Sequence, residues 1–193
     1  MKETLLIAFL IIFIYIFFFS NKANLVLIEA SNSGKKFLVN DDKYKLEAAN
    51  LLSDVIINMY KLRNHLVSNK DKFPKFKESI ELLEKNFSED RTRIYENSPS
   101  SNYTSYSVNK GEELVFCLKS KKDGKLHDIN LLMYVAIHEL AHTGCEEIGH
   151  TPLFKSIFAF YLKEAIKLGI YKFEDYDNNP VEYCGMILSS SII

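Results

Sequence analysis

Neither sign of charge dominates this chain. Its 24 basic and 25 acidic residues leave a net charge of −1, so no global field would draw in nucleic acid. Cysteine is scarce: Cys117, Cys145 and Cys184 form no CxxC pair and, being three, cannot all be bridged, which suits a reducing compartment. Glycine and proline are few as well, 7 and 4 residues, and no internal repeat or low-complexity tract stands out beyond the apolar N-terminus. These absences favour a single folded unit over a tail or a repeat array. With 193 residues, one domain of about 150 plus an anchor is the natural count. The only basic cluster, Lys119, Lys121, Lys122 and Lys125 around Asp123-Gly124, reads as a solvated hairpin turn.

Histidine is scarce everywhere but in one place. Of five in the chain, three fall within thirteen residues, at His138, His142 and His150. Residues 138–142 read His-Glu-Leu-Ala-His and end a run that should be helical, with Asn130 as its N-cap and Leu131, Leu132, Val135, Ile137, Leu140 and Ala141 along it. Histidines four apart project from one helical face about one turn apart. That spacing lets both imidazoles grip one zinc ion while Glu139 holds a water against it, the mechanism of a zinc-dependent peptidase.

A third ligand has several candidates. His150 follows eight residues after His142, and Gly144 and Gly149 both suit a sharp return because glycine tolerates positive φ. Glu164 lies 22 residues past His142 on the next helix and would complete a chemically sound His₂Glu set, or simply face solvent between Lys163 and Lys167. The reading favours His150, since a neutral imidazole needs less compensating charge than a buried carboxylate. Cys145 is a weaker rival that packs more readily as a small apolar residue. Near the C-terminus, Met186 is a candidate floor beneath the metal, and Tyr183 a candidate donor to the reacting carbonyl. Glu146, Glu147, Glu182 and Asp175 are unranked candidates for carboxylates that orient the ligand rings.

Three stretches carry a resemblance to a known group. They are Leu114-Val-Phe-Cys-Leu-Lys119, then Leu131-Leu-Met-Tyr-Val-Ala-Ile-His-Glu-Leu-Ala-His142, then Gly149-His150-Thr-Pro-Leu-Phe154. Over residues 100–175 the chain resembles the WLM and SprT-like zinc metallopeptidases, most closely their small members in large DNA viruses and some microbes. The resemblance implies an edge strand, an HExxH helix, and a third histidine followed by an aromatic residue opening the next helix. It also implies His138, His142 and His150 as zinc ligands and Glu139 as the catalytic acid–base. One departure stands out: the best-known members carry DNA-binding parts, and nothing here clearly supplies one.

The N-terminus bears on where the chemistry would happen. Leu5 to Phe19 is apolar but for the Tyr15 hydroxyl, and Thr4 and Ser20 extend the tolerable span to 17, the lower limit for a spanning helix. Phe17-Phe18-Phe19-Ser20 offers no small-x-small cleavage site, so the segment reads as an uncleaved single-pass anchor. Lys22, Lys35 and Lys36 follow it and only Lys2 and the α-amino group precede it, which places the body on the cytosolic side. The sequons at Asn86 and Asn102 would matter only if the domain faced a lumen.

Residues 1–22 are therefore expected as anchor, 23–42 as polar linker and 43–193 as the metallopeptidase domain. Within it, Ala48, Leu52, Val55, Met59, Leu62 and Leu66 mark one face of a helix over Tyr44–Val67. A second helix should run from Phe73-Pro74 to Phe87, with Pro74 in its first turn. Arg91–Glu96, Tyr103–Val108 and Glu113–Lys119 read as strands, the last two joined by a hairpin at Asn109-Lys-Gly111. Strand Glu113–Lys119, if its edge is exposed, would bind a protein or peptide substrate as an extended strand. A helix from Pro152 to Leu168 follows, with Phe154 supporting the His150 turn.

The expected fold is α+β: a zincin-like metallopeptidase domain, with a small antiparallel or mixed sheet packed on helices, behind an N-terminal transmembrane helix. The expected function is a membrane-anchored zinc endopeptidase, with the membrane engaged through residues 4–20. Two other classes stay open at this point. One is a membrane-tethered zinc-binding module without turnover; the other is a structural membrane protein with an incidental HExxH. Retention of Glu139 speaks against the first, because structural zinc sites are usually closed by four protein ligands.

Overall fold

The computed structural model describes residues 25–193. Its first element overturns the expected linker. Strands β1 (Leu25–Glu29) and β2 (Lys36–Asn40) form an antiparallel hairpin, turned at Gly34 with φ +68°. Phe37 and Val39 alternate into the core while Leu38 faces out, the period-two burial of a half-covered strand. The Ser-Asn-Ser-Gly turn between the strands is what made the stretch read as a linker.

The hairpin packs on helix α1 (Lys45–Ser68), whose stripe from Ala48 to Leu66 is fully buried, as its spacing requires. Two 3₁₀ turns, Lys70–Lys72 and Pro74–Phe76, delay helix α2 to Lys77–Asn86; proline opens the second of them. The central sheet has the order β3-β5-β4: β3 (Arg93–Glu96) runs parallel to β5 (Glu113–Phe116), and β4 (Tyr106–Val108) antiparallel to it. Strand Glu113–Lys119, whose exposure the sequence leaves open, is thus internal where it is regular, and β4 is one edge of the sheet. Lys119 is not a solvated turn residue either. Its ammonium lies 2.9 Å from the buried Glu96 carboxylate and 2.8 Å from that of Asp42, tying the sheet to the start of α1.

Helix α3 (Ile129–Thr143) runs through the middle of the molecule and is buried on nearly every side. Its N-cap is Asp128, whose side chain accepts from the Asn130 amide, rather than Asn130 itself. Asn130 instead trades two hydrogen bonds with the backbone of Lys172, both within 2.8 Å. Helix α4 (Pro152–Lys167) packs beside α3, capped by Thr151 with Pro152 in its first turn. A short hairpin, β6 (Val181–Tyr183) and β7 (Met186–Leu188), closes the chain.

Two further expectations need correction. Cys117 and Cys184 are joined in a disulfide across 67 residues, leaving Cys145 buried and free, which runs against a reading of three reduced cysteines. No spacing rule reveals a bridge between residues so far apart. Among the described residues, moreover, no helix is long and apolar enough to cross a membrane. That corrects the fold expected behind a transmembrane helix, and with it the single-pass localisation; the segment 4–20 lies outside the described residues. What the chain has is a mixed α/β fold.

Candidate metal centre

The central helix delivers the first two histidines and ends one residue after the second. Gly144 caps it at φ −92°, so positive φ is not what this glycine provides. A Cβ there would lie 2.4 Å from the Tyr161 hydroxyl and 2.9 Å from the Ser79 carbonyl, so only glycine lets α3 end against α2 and α4. Gly149 does take the left-handed region, at φ +83°, and turns the chain back. The return brings Nε2 of His150 to 3.0 Å from that of His138 and 3.2 Å from that of His142, which are themselves 3.1 Å apart. Beneath them lies Phe154, 2% exposed, stacked on His142 at 4.1 Å and edge-on to His138 and His150, both at 4.9 Å. Thr151 starts α4 immediately after His150 and so fixes Phe154 under the rings.

Burial, then the neighbouring rings, pushes the pKa of His138 down to about 3; burial, then His150 and Lys110, pushes that of His142 down to about 4. Both rings are therefore neutral at neutral pH, with lone pairs to offer. Three such nitrogens at mutual hydrogen-bond distance cannot satisfy one another, since a neutral imidazole donates from only one nitrogen. A cation can satisfy all three. A triangle of side 3.0–3.2 Å has a circumradius of about 1.8 Å, so a point at the zinc–imidazole distance of about 2.0–2.1 Å from each nitrogen exists just off their plane. The donor set fits zinc, and one side of it opens on a cleft.

That cleft holds about 750 Å³. Its floor is α3, with His138, Glu139 and His142; one wall is β4 with the preceding Thr104 and Ser105, and the other includes Tyr183 and Met186. Glu139 is 5% exposed, and among the described residues its carboxylate has no hydrogen-bond partner, so burial raises its pKa to about 8. Tyr183 is buried, with its hydroxyl hydrogen-bonded to Ser105 Oγ, and burial holds the phenol well above its usual range. Met186 stands half exposed at the rim rather than sealed beneath the rings.

The other candidates lie elsewhere. Glu164 is buried and engaged, 3.0 Å from His65 and 2.5 Å from Lys167, on the side of α4 that meets α1. Cys145 is packed behind the loop. Glu146 and Glu147 are exposed; Glu182 accepts from the Gly185 amide, and Asp175 from Asn178. None of these four carboxylates bonds a triad ring among the described residues. Two residues without a motif emerge at the site: Ser105, which bonds Tyr183, and Lys110, whose ammonium reaches the loop before His150.

Comparison with known proteins gives the following. No family model matches the chain. Among solved structures, it aligns with Wss1 from Saccharomyces cerevisiae at a TM-score of 0.39 and 18% identity, over 48% of this chain and 72% of that one. Protein 136R of Invertebrate iridescent virus 6 is 42% identical over 69 residues, 35% of this chain and 38% of that protein. Uncharacterized protein R325 of Acanthamoeba polyphaga mimivirus is 40% identical over 190 residues, 97% of this chain and 95% of that protein. With similarity running along nearly the whole of both sequences, the chain belongs to the same family as mimivirus R325.

Proposed function

We propose that this protein is a zinc-dependent peptidase, with His138, His142 and His150 as metal ligands and Glu139 as general base and acid. One observation carries the reading: three imidazole nitrogens converge within 3.2 Å beside a buried carboxylate that has no partner among the described residues, all facing one cleft. The resemblance of residues 100–175 to WLM and SprT-like metallopeptidases agrees with it. Zinc, when bound, lowers the pKa of a water toward about 7 and polarises a substrate carbonyl. Glu139 takes the proton from that water and passes it to the leaving amine. Burial alone favours its protonated form, while a divalent charge nearby favours the carboxylate, so the group is suited to both halves of the transfer. Tyr183 keeps its phenolic proton and faces the cleft, where it can donate to the carbonyl oxygen on exchanging its bond to Ser105.

The substrate that fits is a peptide in extended form. Among the described residues strand β4 has β5 on one side only, and its other edge borders the cleft, so main-chain groups of Tyr106–Val108 can pair with an added strand. The test compares the full chain with Glu139→Gln on an unfolded protein such as casein. The variant should retain one zinc per chain while cleavage falls ~10²–10⁴-fold. Equal cleavage by both proteins would point to a contaminant or another mechanism. Stoichiometric zinc without cleavage by either would leave a binding module.

A further inference from the structure

We propose that Lys110 is a positioning residue: its ammonium gathers the loop after the HExxH helix and so sets His150 in the metal site. The inference rests on the zinc reading above but starts from different atoms. Lys110 Nζ lies 2.6, 3.3 and 2.6 Å from the carbonyl oxygens of Cys145, Glu146 and Glu147, using all three of its protons. Those carbonyls lie just past the C-terminus of α3, the end of a helix that attracts a cation. Little else holds the loop. Residues 146–150 are all exposed, Ile148 by 89%, and among the described residues no hydrogen bond is made by the amides of Glu146 to Gly149.

The backbone at the hairpin tip points the same way. Asn109, Lys110 and Gly111 follow one another at φ +47°, +57° and +107°. Asparagine and glycine tolerate that region, whereas lysine is strained there. Its presence is explained by what the ammonium reaches, since the turn itself would favour glycine. Gly111 brings the tip against α3: a Cβ there would lie 2.8 Å from Thr143 Cγ2.

Charge makes the effect testable by its sign. A lysine beside His142 repels any bound cation, so an electrostatic role alone predicts tighter zinc binding once it is removed. Positioning predicts the reverse. In the full chain, Lys110→Asn keeps a residue suited to the turn and deletes the reach, so the melting temperature of the metal-free protein should not fall. The zinc dissociation constant, measured by chelator competition, should rise about 10–100-fold, as for the loss of groups that orient a ligand. In a His150→Ala background the same substitution should change it less than about twofold, because the ligand it serves is gone. Unchanged or tighter zinc binding overturns the proposal, and so does an undiminished loss when His150 is absent. A metal-free readout separates this from the zinc reading. A glutamate-specific protease should cut after Glu146 or Glu147 faster in Lys110→Asn than in the parent, and equal rates overturn the pin. A parent that takes up no zinc overturns the metal reading, while the cleavage contrast still decides whether Lys110 holds the loop.

Discussion

Gly144→Ala is a substitution that the backbone at this position would allow and that packing makes severe. The residue sits at a helix end with φ −92°, where alanine is allowed and favours helix more than glycine does. Space decides otherwise. The added methyl would lie 2.4 Å from Tyr161 Oη and 2.9 Å from the Ser79 carbonyl, and Tyr161 is itself fully buried with its hydroxyl 2.7 Å from Ser79 Oγ. Overpacking costs about 1–3 kcal/mol. Forcing apart the buried hydroxyl pair adds about 1–3 kcal/mol if a group is left unsatisfied. A total of about 2–6 kcal/mol should lower the melting temperature by roughly 4–24 °C in a chain of this size. Urea unfolding of the metal-free full chain measures it without interference from zinc linkage. Tyr161→Phe removes the nearest clashing atom but leaves the Ser79 carbonyl, so in that background Gly144→Ala should cost at least about 1 kcal/mol less, without becoming neutral. A loss below about 0.5 kcal/mol in the single variant, within the usual range for a surface change, would refute the steric account. So would equal losses in both backgrounds.

Two more expectations follow from the same structure. The Cys117–Cys184 bridge closes a 67-residue loop, so chain entropy assigns it about 4 kcal/mol; a dithiol reductant or Cys184→Ser should lower the urea midpoint accordingly, and an unchanged midpoint would refute the bond. In chelator, stability should peak near pH 6.5. Below that value the unfolded chain protonates His127, His138 and His142, which the fold holds neutral, and these outnumber the one proton that the fold keeps on Glu139. Above it, Glu139, raised to about 8, costs stability as the unfolded chain ionises first. A midpoint that rises steadily from pH 5 to 8.5 would contradict these burial effects.

What could be read in advance was what lies within a turn or two along the chain. The approach of His138 to His142 follows from helical pitch, the buried stripe of α1 from its period, and the tight turn at Asn109–Gly111 from its residues. Even the return to His150 was visible, because Gly149 and Thr151-Pro152 are local signals for a reversal and a new helix. Other features depend on partners distant in sequence. Whether Glu113–Phe116 is an edge or an interior strand depends on β3, which joins it in parallel across a connection that no pattern within either strand announces. Glu164, the rival ranked below His150, is held instead by His65, 99 residues earlier.

Lys110 is the sharpest case, because sequence alone gives it the bland role of a hairpin lysine. Its importance comes from two local structures meeting: a turn that lifts the residue into left-handed backbone, and a loop past the helix end whose carbonyl oxygens Lys110 gathers. Neither structure is unusual by itself, and neither predicts the other. A motif search weights HExxH because the chemistry is carried by residues four apart, which one helix can arrange alone. The proposed third ligand, His150, cannot be arranged that way. It rides on a return whose residues 146–150 are exposed, so its position must be imposed by something outside α3, and in this chain the hairpin tip after β4 touches that return. The strand proposed to bind the peptide and the residue proposed to fix the metal site are therefore one hairpin. A substrate that displaces β4 would also disturb His150, so effects on affinity and turnover from mutations in this hairpin should be coupled rather than separable.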